Sequence, residues 1–345
     1  MRVQVQKIIV MIELRSDTFT KPSQPMLAAM MAAEVGDDVF GEDPTVNTLE
    51  QKLADMFDMD AGIFCPSGTM TNQIAIRVHT QPQDDVICDR YSHVYLYEGG
   101  GMMANSGASV SLLEGDRGRI TADLVASAIK PDDVHAPISK LVSVENTMNK
   151  GGGSYYEFDE FLKIRKVVDD NNLKFHLDGA RIFNALVESN DDIKSYGKVF
   201  DTISICLSKG LGAPIGSVLL GSKEEIKRAR RVRKVFGGGM RQAGYLAAAG
   251  IYALDNNVAK LREDHERART IGKKLENCSF VNNVMPIDTN ILIFSVDDVQ
   301  DILAKLKEKG ILGIAFGPNQ IRFVTHLDFT DEMLEETVSA LREIG

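Results

Sequence analysis

Two segments of this chain carry residue types whose placement suggests chemistry on a carbonyl compound. In Asp201-Thr-Ile-Ser-Ile-Cys-Leu-Ser-Lys209-Gly-Leu-Gly, an apolar run delivers a lysine into a glycine-rich turn. An ammonium is costly to bury, so such a lysine either snorkels from the strand end or is used covalently. Burial depresses a lysine's pKa and makes the amine nucleophilic enough to form an imine. In Lys174-Phe-His-Leu-Asp178-Gly-Ala-Arg181, a carboxylate ends a second apolar run. Alone, Asp178 reads equally as the N-cap of a helix starting near Ala180. Beside Lys209 it reads better as an acid facing a heterocyclic nitrogen, which keeps that nitrogen protonated so that the ring accepts an electron pair.

Three further segments fit a phosphorylated, flat ligand. Phe64-Cys-Pro-Ser67-Gly68-Thr69 is a turn of small residues between a strand and a helix, where free N–H groups and the helix dipole suit a phosphate, although such turns also serve merely as caps. Tyr91-Ser-His93-Val-Tyr95-Leu-Tyr97-Glu-Gly-Gly-Gly101 joins aromatic rings to a glycine run, which suits His93 for stacking on a ring with Tyr97 in the adjoining pocket; the alternative is a satisfied core histidine. Gly237-Gly-Gly-Met-Arg241 suits either an anion or a hinge. Arg181 and Arg322 are the candidates for a substrate carboxylate, since a guanidinium binds one bidentately. In Gln320-Ile-Arg-Phe-Val-Thr-His326, alternation sets Arg322 on the face opposite Ile321, Phe323 and Thr325, which fits an exposed edge strand equally well.

The elements that must position these residues follow from the hydrophobic pattern. Apolar runs at Ala61–Cys65, 86–88, 110–113, 141–145, 174–177 and 202–207 alternate with amphipathic stretches such as 123–130 and Phe158–Asp170. This predicts an α/β domain with a mainly parallel sheet, helices on both faces and ligands at the carboxyl ends of the strands. Residues 242–264 read as one long helix bridging to a C-terminal unit of strand (289–295), helix (297–309), strand (320–325) and helix (330–344). The division expected is 12–258 and 259–345, with residues 1–10 an extension of little functional weight.

Composition narrows the function. The 345 residues are 44% hydrophobic and 26% charged, ordinary for a globular protein, and the formal net charge of -10 leaves no basic footprint for nucleic acid or an anionic membrane. Four well-separated cysteines suggest neither a disulfide framework nor zinc-ligand spacing. No metal site is expected. No stretch approaches the ~20 apolar residues of a membrane span, and the N-terminus has no signal-like apolar core. The expected location is the cytoplasm.

The runs Leu14-Arg-Ser16-Asp17-Thr18, Val35-Gly-Asp-Asp-Val-Phe-Gly41, Pro66-Ser-Gly-Thr-Met70, His176-Leu-Asp178-Gly-Ala-Arg181-Ile-Phe-Asn184, Cys206-Leu-Ser-Lys209-Gly-Leu-Gly212 and Gly237-Gly-Gly-Met-Arg241-Gln together resemble low-specificity L-threonine aldolase, in order, from Ile12 to about Asp328. The resemblance implies a fold-type-I pyridoxal 5′-phosphate (PLP) enzyme of the aspartate aminotransferase superfamily. Its large domain would have a mainly parallel seven-stranded sheet, followed by a small α+β C-terminal domain. It implies retro-aldol cleavage of L-threonine, L-allo-threonine and related β-hydroxy-α-amino acids to glycine and an aldehyde, in threonine catabolism and glycine formation. It also implies a homotetramer, a dimer of dimers with active sites at the dimer interface.

Roles come with the resemblance. Lys209 matches the Schiff-base lysine, Asp178 the pyridinium partner, His93 the stacking histidine, and Ser67, Gly68 and Thr69 the phosphate turn. Ser16, Arg181 and Arg322 match the group that holds the substrate carboxylate. Arg241 matches an arginine that reaches the phosphate of a neighbouring subunit's cofactor. His135, in Pro131-Asp-Asp-Val-His135, matches a histidine near the substrate hydroxyl, so that His93, His135 or a water is the expected base. The chain departs from the family at Met148, where a histidine is usual, and at Gly151-Gly-Gly-Ser-Tyr-Tyr-Glu157; both departures are expected near the pocket and bear on the choice between threonine and allo-threonine. The rival activities are those of other enzymes of this fold, an aminotransferase, β-eliminating lyase or racemase, and beyond them a non-catalytic binding protein.

Overall fold

The computed structural model describes residues 11–345; the N-terminal extension read from the sequence lies outside them. The centre is a seven-stranded sheet in the order Ala61–Cys65, Ser217–Gly221, Thr202–Cys206, Lys174–Gly179, Ile138–Glu145, Asp84–Asp89, Ser109–Leu113. Ser217–Gly221 runs antiparallel to both of its neighbours, and every other pairing outside it is parallel. Six strands coincide with apolar runs of the sequence. The seventh, Ser-Val-Leu-Leu-Gly, was not among the runs read from the pattern; it returns along the Lys209 turn, where the Leu207 N–H donates to the Gly216 carbonyl (2.9 Å).

Both faces of the sheet are covered, which is why its strands read as unbroken apolar runs. Phe64, Ile87, Val142, Phe175, Ile203 and Val218 face one core, with Leu49 and Phe57 of the Pro44–Phe57 helix and Phe161 of the Phe158–Asp170 helix. The alternate residues Ile63, Cys65 and Leu219 face the other side, against Ile74, Ala75 and Val78 of the Gly68–His79 helix and Ile226 and Ala229 of the Lys223–Val235 helix. The helix starts are set by their caps. Asp43 accepts from Thr45 and Val46 ahead of Pro44 at the first turn, and Ser222 with Glu225 forms a capping box.

One expected element is corrected. The single helix predicted over 242–264 is two, Gly244–Asn256 and Leu261–Leu275. The break is at Asn257, whose amide donates to the Leu211 carbonyl (2.9 Å) in the Lys209 turn while its oxygen accepts from Lys260 (3.1 Å). An asparagine with such partners competes with the helical backbone, and no glycine or proline marks the site in the sequence. The second helix enters a separate core with Leu292, Phe294, Ile321 and Phe323 of a four-stranded antiparallel sheet and with the Val299–Glu308 and Asp331–Ile344 helices. The N-terminal strand joins that core as well, since Ile12–Glu13 pairs parallel with Ile311–Leu312 and buries Ile12 and Leu14 there. No helix among the described residues is long and apolar enough to cross a membrane.

Candidate active site

The carboxyl ends of the parallel strands open into a cleft of about 510 Å³ between the two cores. Lys209, His93, Tyr97, Arg181, Arg322 and Ser16 all line it, so residues spread over more than three hundred positions converge. The floor is a hydrogen-bonded cluster. Asp178, at the end of its strand, accepts from Asn72 Nδ2 (2.8 Å) and from the Ala180 N–H (3.1 Å). The same Asn72 nitrogen donates to Glu98 Oε1 (2.8 Å), and Glu98 also accepts from His93 Nδ1 (2.9 Å) and Gln73 Nε2 (2.6 Å). Because both partners of Asn72 Nδ2 are carboxylates, which only accept, the amide has one orientation, with Oδ1 toward His176 Nε2 (3.1 Å). His176 therefore carries its proton on Nε2 and accepts at Nδ1 from the Thr202 hydroxyl (2.9 Å). Burial pushes its pKa down to about 4, so it is a neutral spacer.

The electrostatics of His93 run the other way. Burial pulls its pKa down, but the hydrogen bond to Glu98 and the negative fields of Asp178 and Glu145 outweigh that, and the pKa lies above the ordinary value. Its ring is tilted against Tyr97 with centroids 5.6 Å apart. Glu145 ends the neighbouring strand and accepts the backbone N–H groups of His93 (2.8 Å) and Asn149 (2.9 Å). Burial, reinforced by Asp178, pushes it up to about 7 against the opposing pull of His93.

The substrate-side wall is cationic. Arg181 holds Asp17 through two parallel bonds of 2.7 Å each, both residues buried. Burial opposes ionisation of Asp17, yet the Arg181 guanidinium beside it holds the carboxyl well below the usual range. Arg322 donates to Asn149 Oδ1 (2.8 Å) and to the Arg15 carbonyl (2.9 Å), while its Nε is buried without a partner. Burial, then repulsion from Arg181, pushes its pKa down to about 10. Phe316 completes the wall, with the Arg322 guanidinium 4.6 Å and the Lys150 ammonium 4.3 Å from its ring centroid.

Not every expected residue reaches this cleft. Ser67 caps the Gly68–His79 helix one turn before Asn72, which sets the small-residue turn beside the Asp178 cluster; Ser67, Gly68, Thr69 and the buried Asp178 do not line the cavity themselves, Asp178 being linked to it through Asn72, Glu98 and His93. Arg241 is exposed and bonded to Asp37 (2.9 Å), and His135 is exposed in a loop with its Nδ1 against Asp133 (2.7 Å), so neither enters the cleft of its own chain. Met148 is fully buried, and a Cβ at Gly118 would stand 2.0 Å from its Cε, so the departure at 148 fills core. Neither Met148 nor any residue of 151–157 lines the cleft; the two residues between these departures, Asn149 and Lys150, do. Sequence reasoning missed Asn72, Glu98 and Glu145 as site residues. The signal available for the first was the polar run Thr71-Asn-Gln73 at the start of an otherwise apolar helix, all three buried.

A cleft at the carboxyl ends of a mainly parallel sheet, with a lysine, a histidine and an acid fixed beside it, defines a fold-type-I PLP enzyme. The fit is concrete: Ser217 Oγ is buried without a partner, 3.5 Å from where a Cβ at Gly68 would stand, and the N–H groups of that turn suit a phosphate. The chain belongs to the β-eliminating lyase family, whose model matches residues 13–299, and within it to the low-specificity L-threonine aldolases. It is 43% identical over 96% of its length to the low specificity L-threonine aldolase of Escherichia coli K12, covering 98% of that protein. It is 38% identical over 96% of its length to a probable low-specificity L-threonine aldolase of Arabidopsis thaliana, covering 97% of it. Among solved structures, a threonine aldolase of Leishmania major superposes with a TM-score of 0.86 at 22% identity, over 96% of this chain and 99% of that one.

Proposed function

We propose that this protein is an aldehyde-lyase that cleaves L-threonine, L-allo-threonine and related β-hydroxy-α-amino acids to glycine and an aldehyde. The observation that carries the reading is the cationic wall: Arg181 is matched by Asp17, whereas Arg322, which lines the same cleft as Lys209, is hydrogen-bonded only to the neutral oxygens of Asn149 and Arg15. A substrate α-carboxylate supplies the missing counter-charge, with Ser16 and Tyr97 beside it. Held there, the amino acid would have its Cα–Cβ bond oriented for cleavage by the placement of its carboxylate. When bound, PLP supplies an electron-accepting ring that takes up the electron pair of that bond.

Lys209 would be the amine that holds the cofactor through its aldehyde carbon. Asp178 would hold a proton on the cofactor's ring nitrogen, His93 would pack against its ring, and Ser67, Gly68 and Thr69 would receive its phosphate. His93 Nε2, the ring nitrogen left free by the Nδ1 bond to Glu98, takes the β-hydroxyl proton, a step worth about 10²- to 10⁴-fold in rate. Arg241 and His135, exposed in one chain, serve the site of a neighbouring copy in a cytoplasmic homotetramer built from two dimers. The exposed Met31, Phe40 and Val235 support such burial between copies. The turn after Asn256 suits a domain boundary at 258/259. Purified protein supplied with PLP and L-threonine should release glycine and acetaldehyde in equal amounts. A 2-oxo acid product would instead assign it to aminotransferase or eliminating chemistry.

A further inference from the structure

We propose that Glu98 is a positioning residue that fixes both the tautomer and the charge of His93, making the pair, tied to Asp178 through Asn72, one proton-holding unit on the floor of the cleft. Glu98 is buried, has no exposed side-chain surface, and its three donors come from two segments: His93 Nδ1 (2.9 Å) from one, and Asn72 Nδ2 (2.8 Å) and Gln73 Nε2 (2.6 Å) from the other. A carboxylate can only accept, so the His93 proton nearest it sits on Nδ1 and the acid–base atom left for the cleft is Nε2. Three contacts from two segments hold the carboxylate still, and a fixed carboxylate behind an imidazole stabilises the imidazolium without taking its proton.

The other groups facing His93 define what Glu98 adds. Asp178 and Glu145 end the two adjacent strands, Tyr97 stands at the ring, and the cations Lys209, Arg181 and Arg322 line the same cavity. Only Glu98 touches the imidazole through a ring nitrogen. The Asn72 amide then links this carboxylate to Asp178 through one nitrogen, so a change of charge on Glu98 is felt where the ring nitrogen is held. The catalytic part of this inference rests on the proposed cleavage reaction, in which Nε2 must be unprotonated; the tautomer and charge of His93 do not.

The test is a histidine titration by NMR on the cofactor-free full chain labelled with ¹⁵N-histidine, with the His93 signal identified by its loss in His93→Asn. Wild type should show the Nδ1–H tautomer. Glu98→Gln, which keeps shape but removes the charge, should lower the His93 pKa by about one unit, and Glu98→Asp should restore most of it. In the holoenzyme the acid limb of kcat/KM should move to lower pH by the same amount in Glu98→Gln, because a base with a lower pKa stays free further into acid. An unchanged His93 pKa in Glu98→Gln, an Nε2–H tautomer in wild type, or an Asp variant indistinguishable from Gln would each overturn the proposal. If the NMR shift occurs but no β-hydroxy amino acid is cleaved, the reaction is misassigned and the role of Glu98 stands.

Discussion

On the floor of the cleft each acceptor already has its donor, whereas on the facing wall the Arg322 guanidinium has only neutral partners. Asp178 and Glu98 have protein donors on both oxygens, and the Asn72 amide that joins them has a single orientation. The wall is drawn from four segments, at residues 15–18, 149–150, 181 and 314–322, and brings Arg181 close enough to Arg322 to lower the latter's pKa. The difference teaches where each ligand's binding energy comes from. The floor is prepared before the cofactor arrives, so little reorganisation is left to oppose its function. The wall carries desolvated positive charge in excess, and a carboxylate that enters relieves it.

The sharpest way to break this contrast is to remove the lysine proposed to anchor the cofactor. Lys209→Ala should lower kcat by on the order of 10³-fold or more while far-UV circular dichroism stays native, since no core contact depends on the amine. Borohydride treatment of the wild-type holoenzyme should fix the cofactor to the peptide containing residue 209, and failure of that labelling would remove Lys209 from its role. On the wall, Arg322→Met should act chiefly on KM. A charge-assisted bond contributes about 1.5–3 kcal/mol, so loss of the carboxylate contact should raise KM by about 10- to 100-fold with a smaller fall in kcat. A fall confined to kcat would show that Arg322 contacts the reacting atoms instead.

The same contrast decides what the sequence could reveal. Lys209 and Asp178 stand at the ends of contiguous apolar strands, where burial and a charged terminus are visible in a dozen residues. Glu98 and Asn72 are 26 residues apart in sequence and meet only because the strand-to-helix turn after Cys65 and the glycine run at 99–101 fold over one another. A polar residue whose partner is remote looks like any other surface residue. Arg322 shows the limit of alternation: Ile321 and Phe323 enter the small-domain core as expected, but whether the other face meets water or a cleft depends on where the Asn149 loop lies. The helix break at Asn257 was hidden for the same reason, its partner being the Leu211 carbonyl.

That loop gives a smaller test. Asn149→Ala deletes one neutral acceptor of Arg322, and such a bond contributes about 0.5–1.5 kcal/mol, so KM should rise by only about two- to tenfold. Arg322→Met in the Asn149→Ala background should cost less than in wild type, because part of what Arg322 contributes passes through Asn149. Additive effects in that cycle would mean that the loop does not aim the guanidinium.

The weakest expected effect lies behind the wall, at Asp264. Its backbone carbonyl accepts from the Thr325 hydroxyl (2.7 Å), three residues beyond Arg322, but both of its carboxylate oxygens are buried without a hydrogen bond, and Arg267 approaches only to 3.7 Å. Burial, with Asp17, Glu263 and Asp328 adding to it and Arg267 opposing, pushes the carboxyl up to about 8. The folded protein therefore keeps a proton there that the unfolded chain releases near the ordinary value of 3.8. The native state binds more protons between those values, so stability falls as pH rises through that window, by at most about 1.4 kcal/mol per pH unit for one group. Asp264→Asn cannot ionise and should lose less melting temperature between pH 5 and pH 8 than wild type does. Glu145, pushed up to about 7 in the same direction, leaves the variant with a residual slope. Parallel melting curves for the two proteins across that range would mean that Asp264 is ionised in the folded state and that Arg267 closes on it.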